Sequence, residues 1–125
     1  LMTKRSLERE AFGRPLAKLG GNVDIIAQAR IDIEMTRLLC LKAAWLMDNV
    51  GTDAAQPYIS MIKVAAPSMA LKIIDEAMQM YGGLGLSQDT PLAIWYGAQR
   101  TLRFADGPDA VHRMVIGRRE FKQYM

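Results

Sequence analysis

From Asn22 to Asn49 the chain contains neither glycine nor proline, and its apolar residues recur at intervals of three and four. Spacing of that kind gathers onto one face only in an α-helix. Ile26, Ala29, Ile33, Thr36, Cys40, Ala43 and Met47 form a first stripe, and Ala27, Ile31, Leu38, Leu41 and Trp45 form a second. Asp24, Arg30, Glu34 and Arg37 separate the two on one side. Two stripes imply two packing partners: the chain's own bundle, and a second domain or subunit. A central helix buried all round is the other reading of the same pattern.

The neighbouring segments are punctuated by glycine and proline. Residues 1–12 read as a short helix stopped at Phe12-Gly13-Arg14-Pro15, and residues 15–21 as a connector closed by Gly20-Gly21. Beyond the break at Gly51-Thr52-Asp53, Pro57 suits the first turn of a second long helix. Over residues 57–81 this helix places Ile59, Ile62, Ala66, Met69, Ile73, Ala77 and Met80 on one side. The period continues through Pro67, which predicts one kinked helix rather than two, ended by Gly82-Gly83. Ser87 to Thr90 is a loop, and Pro91 opens a third helix over residues 91–104. Asp106-Gly107-Pro108-Asp109 is the last break, and a fourth helix runs from Pro108 toward Phe121. There is no strand signal and no internal repeat. Long amphipathic helices with short connections predict an all-α fold, an antiparallel four-helix bundle, with residues 1–125 as one domain.

Composition narrows the function classes. A chain of 125 residues, 50% hydrophobic and 23% charged, is of globular type. The net charge of +3 is dispersed, and no basic patch interleaved with aromatics appears, which argues against nucleic-acid binding. A lone cysteine, Cys40, excludes an internal disulfide framework and suits a reducing compartment. No apolar run approaches the length of a membrane span, and the first residues lack the apolar core of a signal peptide. The expected setting is intracellular: a bacterial cytoplasm, or a mitochondrion or peroxisome in a eukaryote. The opening residues read as a helix entered partway, as in a piece of something longer.

Candidate chemistry gathers at the last two breaks. No dinucleotide-binding glycine motif follows a strand, no Walker-type loop occurs, and no Cys/His set has metal-binding spacing. His112 is the only histidine, and by itself reads as an outward residue or one with a local partner. Asp106, directly before Gly107-Pro108, has two readings. It caps the following helix by accepting backbone N–H bonds, or it is a carboxylate base held at a rigid break beside a cleft. The run Gly82-Gly83-Leu84-Gly85 either ends a helix or lets the backbone approach a flat or phosphate-bearing ligand. Arg9 is a phosphate partner or a solvated charge.

In order and spacing, four pieces resemble the C-terminal helical domain of the acyl-CoA dehydrogenase family. They are Arg9-Glu-Ala-Phe12-Gly13, Ile62-Lys63-Val-Ala-Ala, Gln79-Met-Tyr-Gly82-Gly83-Leu-Gly85, and Asp106-Gly107 followed by Arg113. The wording Lys-Val-Ala-Ala-Pro, Ser-Gln-Asp-x-Pro-Leu and Ala-Asp-Gly-Pro-Asp is similar to the branch of family members ten and eleven, where aspartate replaces the more usual catalytic glutamate. The resemblance implies a flavoenzyme that oxidises an acyl-CoA to the trans-2-enoyl-CoA, with FAD as cofactor and Asp106 as catalytic base. It implies FAD contacts at Arg9, Phe12, Gln79 and Gly83, the first two reached across a subunit interface. Two further family contacts, Thr and Gln just beyond the acid, fall here on Pro108 and Ala110, which cannot supply them with a side chain. The implied partners are an electron-transfer flavoprotein or similar acceptor and further copies of the chain, as a homodimer or homotetramer. The N-terminal helical and middle β-domains of that family lie outside this sequence, so the piece alone is expected to be inactive. A helical assembly domain of the same fold, without redox chemistry, is the alternative.

Overall fold

A computed structural model describes residues 1–125 as six α-helices and one small hairpin. The helices are α1 (Met2–Glu8), α2 (Asn22–Asn49), α3 (Thr52–Tyr81), α4 (Gly83–Leu86), α5 (Leu92–Thr101) and α6 (Asp109–Lys122). The expected all-α bundle is present, and α2 has the bounds its periodicity predicts. No helix is long and apolar enough to cross a membrane.

The first segment departs from expectation. Helix α1 stops at Glu8 because Arg9 is already extended (φ −84°, ψ 123°). The next residues form a hairpin of β1 (Glu10–Ala11) and β2 (Arg14–Pro15), with Ala11 opposite Arg14. Its two-residue loop, Phe12-Gly13, has φ of 51° and 74°. Two positive φ values suit a tight hairpin whose twist matches its strands. Phe is a poor residue for that conformation, which costs an L-side chain about 1–2 kcal/mol.

The hub of the bundle is α3 rather than α2, since α1, α2, α4, α5 and α6 all pack on it. A helix touched from several sides has no single apolar face. Ala77 and Met80 of the expected stripe are buried, but so are Ala55, Ser60, Pro67 and Leu71, while Ile59 is exposed. Pro57 lies beyond the first turn, because the break at Gly51 (φ 119°) lets the helix begin at Thr52. A proline withholds the N–H that would pair with the carbonyl four residues earlier. At that carbonyl, of Asp53, the Arg119 guanidinium donates instead at 3.3 Å, and its other nitrogen reaches Gln56 Oε1 at 3.0 Å. The helix continues through Pro67 as one element.

On α2 the two stripes part company. The first contributes Ala29, Thr36 and Ala43 to the interior, whereas Ile31, Leu38, Leu41 and Trp45 of the second are each at least half exposed. Within this chain α2 is therefore not buried all round. The core joins Met2, Ala29, Ala77, Met80 and Leu92 from four helices. It is small: 16 of 125 residues are buried, which leaves extensive apolar surface for other partners.

A polar clasp ties α2 to α3. Lys72 Nζ donates to Asp32 Oδ2 at 2.9 Å, and Gln28 Nε2 donates to Asp32 Oδ1 at 2.6 Å. The bond from Lys72, joined by that from Gln28, holds the Asp32 carboxyl below its ordinary range. A carboxyl depressed in the folded state contributes stability that is present above the unfolded carboxylate pKa and is lost as pH falls through the folded one. Lys72→Met should therefore lower the melting temperature slightly at neutral pH, with the gap to wild type closing below about pH 4. Melting curves between pH 3 and 7 that run parallel would refute the linkage.

Candidate functional site

Two regions at different places along α3 gather the residues singled out in the sequence. The first is a cleft of about 390 Å³ at the C-terminal end of α3, lined by Arg5, Arg9, Asn22, Gln79 and Gly83 among others. Arg9 reaches it because the chain leaves α1 in an extended conformation. Gln79 reaches it from the last turn of α3, and Gly83 because Gly82 (φ 61°) turns the chain sharply out of that helix. Asn22 is fixed by donating to the Leu16 carbonyl at 2.8 Å.

The glycines of this corner do different things. Gly82 supplies the positive φ. A Cβ on Gly85 would sit 2.7 Å from the Met78 carbonyl oxygen and 2.9 Å from Met78 Cα, so Gly85 is required for close packing. A Cβ on Gly83 would meet nothing within 4 Å and would occupy open space beside the cleft. Gly82 and Gly83 both line the cleft with open space before them, and of the two only Gly83 is free of a positive φ.

The cleft also holds a polar group without a partner. Arg5 stacks its guanidinium over Tyr81, 5.0 Å from the ring centre, and its buried Nε makes no hydrogen bond. Arg5 and Arg9 together outweigh Glu76, the one acid of the lining. A positive cleft with an unsatisfied donor, an amide side chain and exposed glycine backbone suits an anionic ligand such as a pyrophosphate. Sequence reading missed Arg5, because nothing in Lys-Arg-Ser-Leu shows which charge turns inward.

The second region is the turn between α5 and α6. Asp106 has φ 54° and Gly107 φ 94°, so both residues are left-handed. Aspartate tolerates this region better than most side chains, and an observed outlier of this kind is a pointer to function. The capping reading fails: α6 begins after Pro108 with no side-chain cap, and the Asp106 carboxylate is exposed. The backbone of the turn is held instead. Arg103 Nε donates to Asp109 Oδ2 at 2.7 Å, and the Asp109 N–H donates to the Arg103 carbonyl at 3.1 Å. His112 Nε2 lies 3.2 Å from the Asp106 carbonyl oxygen, so the histidine has the local partner expected of it. From α3, Lys63 Nζ donates to the carbonyls of Leu102 and of Gly107, the latter at 3.2 Å. The result is a fixed turn with a free carboxylate.

A family model for the acyl-CoA dehydrogenase C-terminal domain matches residues 1–121. The chain belongs to the acyl-CoA dehydrogenase family. Mouse acyl-CoA dehydrogenase family member 10 is 50% identical over 122 residues, 98% of this chain but 11% of the mouse protein. A solved chain from Mycobacterium abscessus, assigned to the acyl-CoA dehydrogenases, superposes with a TM-score of 0.97 at 55% identity, covering 99% of this chain and 30% of its own length. Butyryl-CoA dehydrogenase from Megasphaera elsdenii superposes at 0.88 with 28% identity, covering 96% of this chain and 31% of that one. The chain thus spans less than a third of the length of these relatives. The acyl-CoA dehydrogenases are FAD-dependent flavoproteins.

Set beside that family, the residues implied by resemblance fall into two groups. Arg9, Gln79 and Gly83 share the positive cleft. Phe12 lies outside its lining, 93% exposed at the tip of the adjacent hairpin. Asp106 is elsewhere: with about 1.5 Å of rise per residue, Lys63 under the Asp106 turn and Gln79 at the cleft stand roughly 24 Å apart along α3.

Proposed function

We propose that this chain is the C-terminal domain of an FAD-dependent acyl-CoA dehydrogenase, and that it supplies the catalytic base, part of the FAD site and the oligomer interface. The observation that carries the reading is the Asp106 carboxylate, which is exposed and uncapped on a left-handed turn whose backbone is tied down on both sides. A general base needs this combination of a fixed position and a carboxylate free to accept a proton. Asp106 takes the α-proton of an acyl-CoA thioester. Bound FAD supplies the acceptor for the β-hydrogen, which leaves as hydride, and the product is the trans-2-enoyl-CoA.

Arg9 and Arg5 would hold the anionic part of FAD in the cleft, with Gln79 and the Gly83 backbone beside it. Phe12, presented on a strained hairpin loop, would add an aromatic contact from outside. The distance between cleft and base favours an assembly in which they serve different flavins. Asp106 of one subunit and the Arg9, Gln79 and Gly83 cleft of another would then serve the same cofactor, in a homodimer or homotetramer. The exposed second stripe of α2 offers apolar surface for such an interface. Reoxidation would fall to an electron-transfer flavoprotein or similar acceptor.

The test is made on the full-length protein. Purified, it should show flavin absorbance and reduce a dye when an acyl-CoA is added, whereas residues 1–125 alone should do neither. A full-length protein that assembles but carries no flavin and shows no dye reduction would favour an assembly role without redox chemistry.

A further inference from the structure

The geometry points to Lys63 as the positioning residue for the base, holding the Asp106 turn in register on α3; the inference rests on Asp106 being that base. The half-buried ammonium forms no salt bridge and donates to two backbone carbonyls, Leu102 and Gly107. These lie on opposite sides of Asp106. The Leu102 contact alone would be ordinary, since Leu102 caps the C-terminus of α5 and cations favour that end of a helix. The Gly107 contact lies past the helix, on the residue bonded to the base itself. Neighbouring Cα atoms are a fixed distance of about 3.8 Å apart, so moving the Gly107 carbonyl moves Asp106 with it.

The other ties to the turn arise locally. Arg103–Asp109 and His112–Asp106 join residues within the stretch between the end of α5 and α6, and the packing of α5 and α6 on α3 holds its two ends but not the turn between them. Lys63 anchors it to the hub helix. Without that tie the turn would keep its local shape between the two packed helices, while Asp106 would be free to shift slightly from its place. A displacement of about 1 Å can cost about 10²-fold in rate.

In the full-length dehydrogenase, Lys63→Met should lower kcat by about 10–100-fold while KM for the acyl-CoA, flavin content and oligomeric state stay near wild type. The primary isotope effect on kcat with α-deuterated acyl-CoA should rise, because proton removal becomes the slow step. Lys63→Arg, which restores a cation with several donors, should recover much of the rate. If Lys63→Met does not accumulate as folded holoenzyme, Lys63→Gln carries the same test with one donor group. Unchanged kcat and isotope effect, or a loss of rate matched by loss of flavin or assembly, would overturn the positioning role. Asp106→Asn is measured alongside. If it abolishes turnover while Lys63→Met does not slow it, the Lys63 inference alone falls. If Asp106→Asn is itself active, the base assignment falls and takes the inference with it.

Discussion

Asp106→Asn in the full-length enzyme should lower acyl-CoA turnover by about 10²–10⁴-fold, the usual weight of a positioned general base, while FAD stays bound. The substitution is clean for reasons particular to this turn. Asparagine tolerates the left-handed region about as well as aspartate, so the φ of 54° adds no new strain. The carboxylate does not cap α6, so its loss should leave the stability within about 0.5 kcal/mol of wild type. The ties made by Lys63, His112 and Arg103 are to backbone or to Asp109 and remain in place. Asp106→Glu is the informative companion. It keeps the charge but extends it by one methylene on a fixed turn, and turnover between wild type and Asp106→Asn is expected. Rates for Asp106→Asn within a few-fold of wild type would remove Asp106 from the mechanism.

Most of the helices were legible because periodicity reports burial directly. The bounds of α2 and the starts of α5 and α6 follow from stripes and from breaks at Pro91 and Pro108. What was not legible depends on contacts distant in sequence. Phe12-Gly13 reads as a helix stop, yet pairing of Glu10–Ala11 with Arg14–Pro15 makes it a hairpin loop, without the Asn-Gly signature of such turns. Pro57 reads as a first-turn proline, yet the helix starts earlier and Arg119 of α6 serves the carbonyl left without a donor. The hub role of α3 was hidden because a helix packed on many sides shows no dominant stripe. The candidate site divides similarly. Asp106 on local sequence is a cap or a base, the family resemblance favours the base, and the left-handed φ with no side-chain cap on α6 removes the capping reading. Lys63 and Arg5 have no local signature, since their meaning lies in carbonyls and rings supplied by other elements.

The glycine corner at the end of α3 should separate folding from flavin binding when its members are changed one at a time. Gly85→Ala places a methyl 2.7 Å from the Met78 carbonyl oxygen and 2.9 Å from Met78 Cα. Both are backbone atoms of the hub helix and have no rotamer by which to give way. Overpacking of this kind costs about 1–3 kcal/mol, and the backbone shift should also displace Gln79, the neighbour of Met78 that lines the cleft. The full-length enzyme carrying Gly85→Ala should melt several degrees lower and lose flavin as a consequence. Gly83→Ala is the opposite case. Its φ is not positive, its Cβ meets no protein atom within 4 Å, and alanine favours the helical turn that begins there. The added methyl should leave the melting temperature of the flavin-free protein unchanged or slightly raised. It would nevertheless stand in the cleft where the FAD contact is proposed, so flavin affinity should fall by about tenfold or more, measured by titration of apoprotein with FAD. Equal flavin affinity in Gly83→Ala and wild type would show that the cleft does not hold the cofactor, whatever the fate of Gly85→Ala. The Gly82-Gly83-Leu84-Gly85 run would then be a helix end alone.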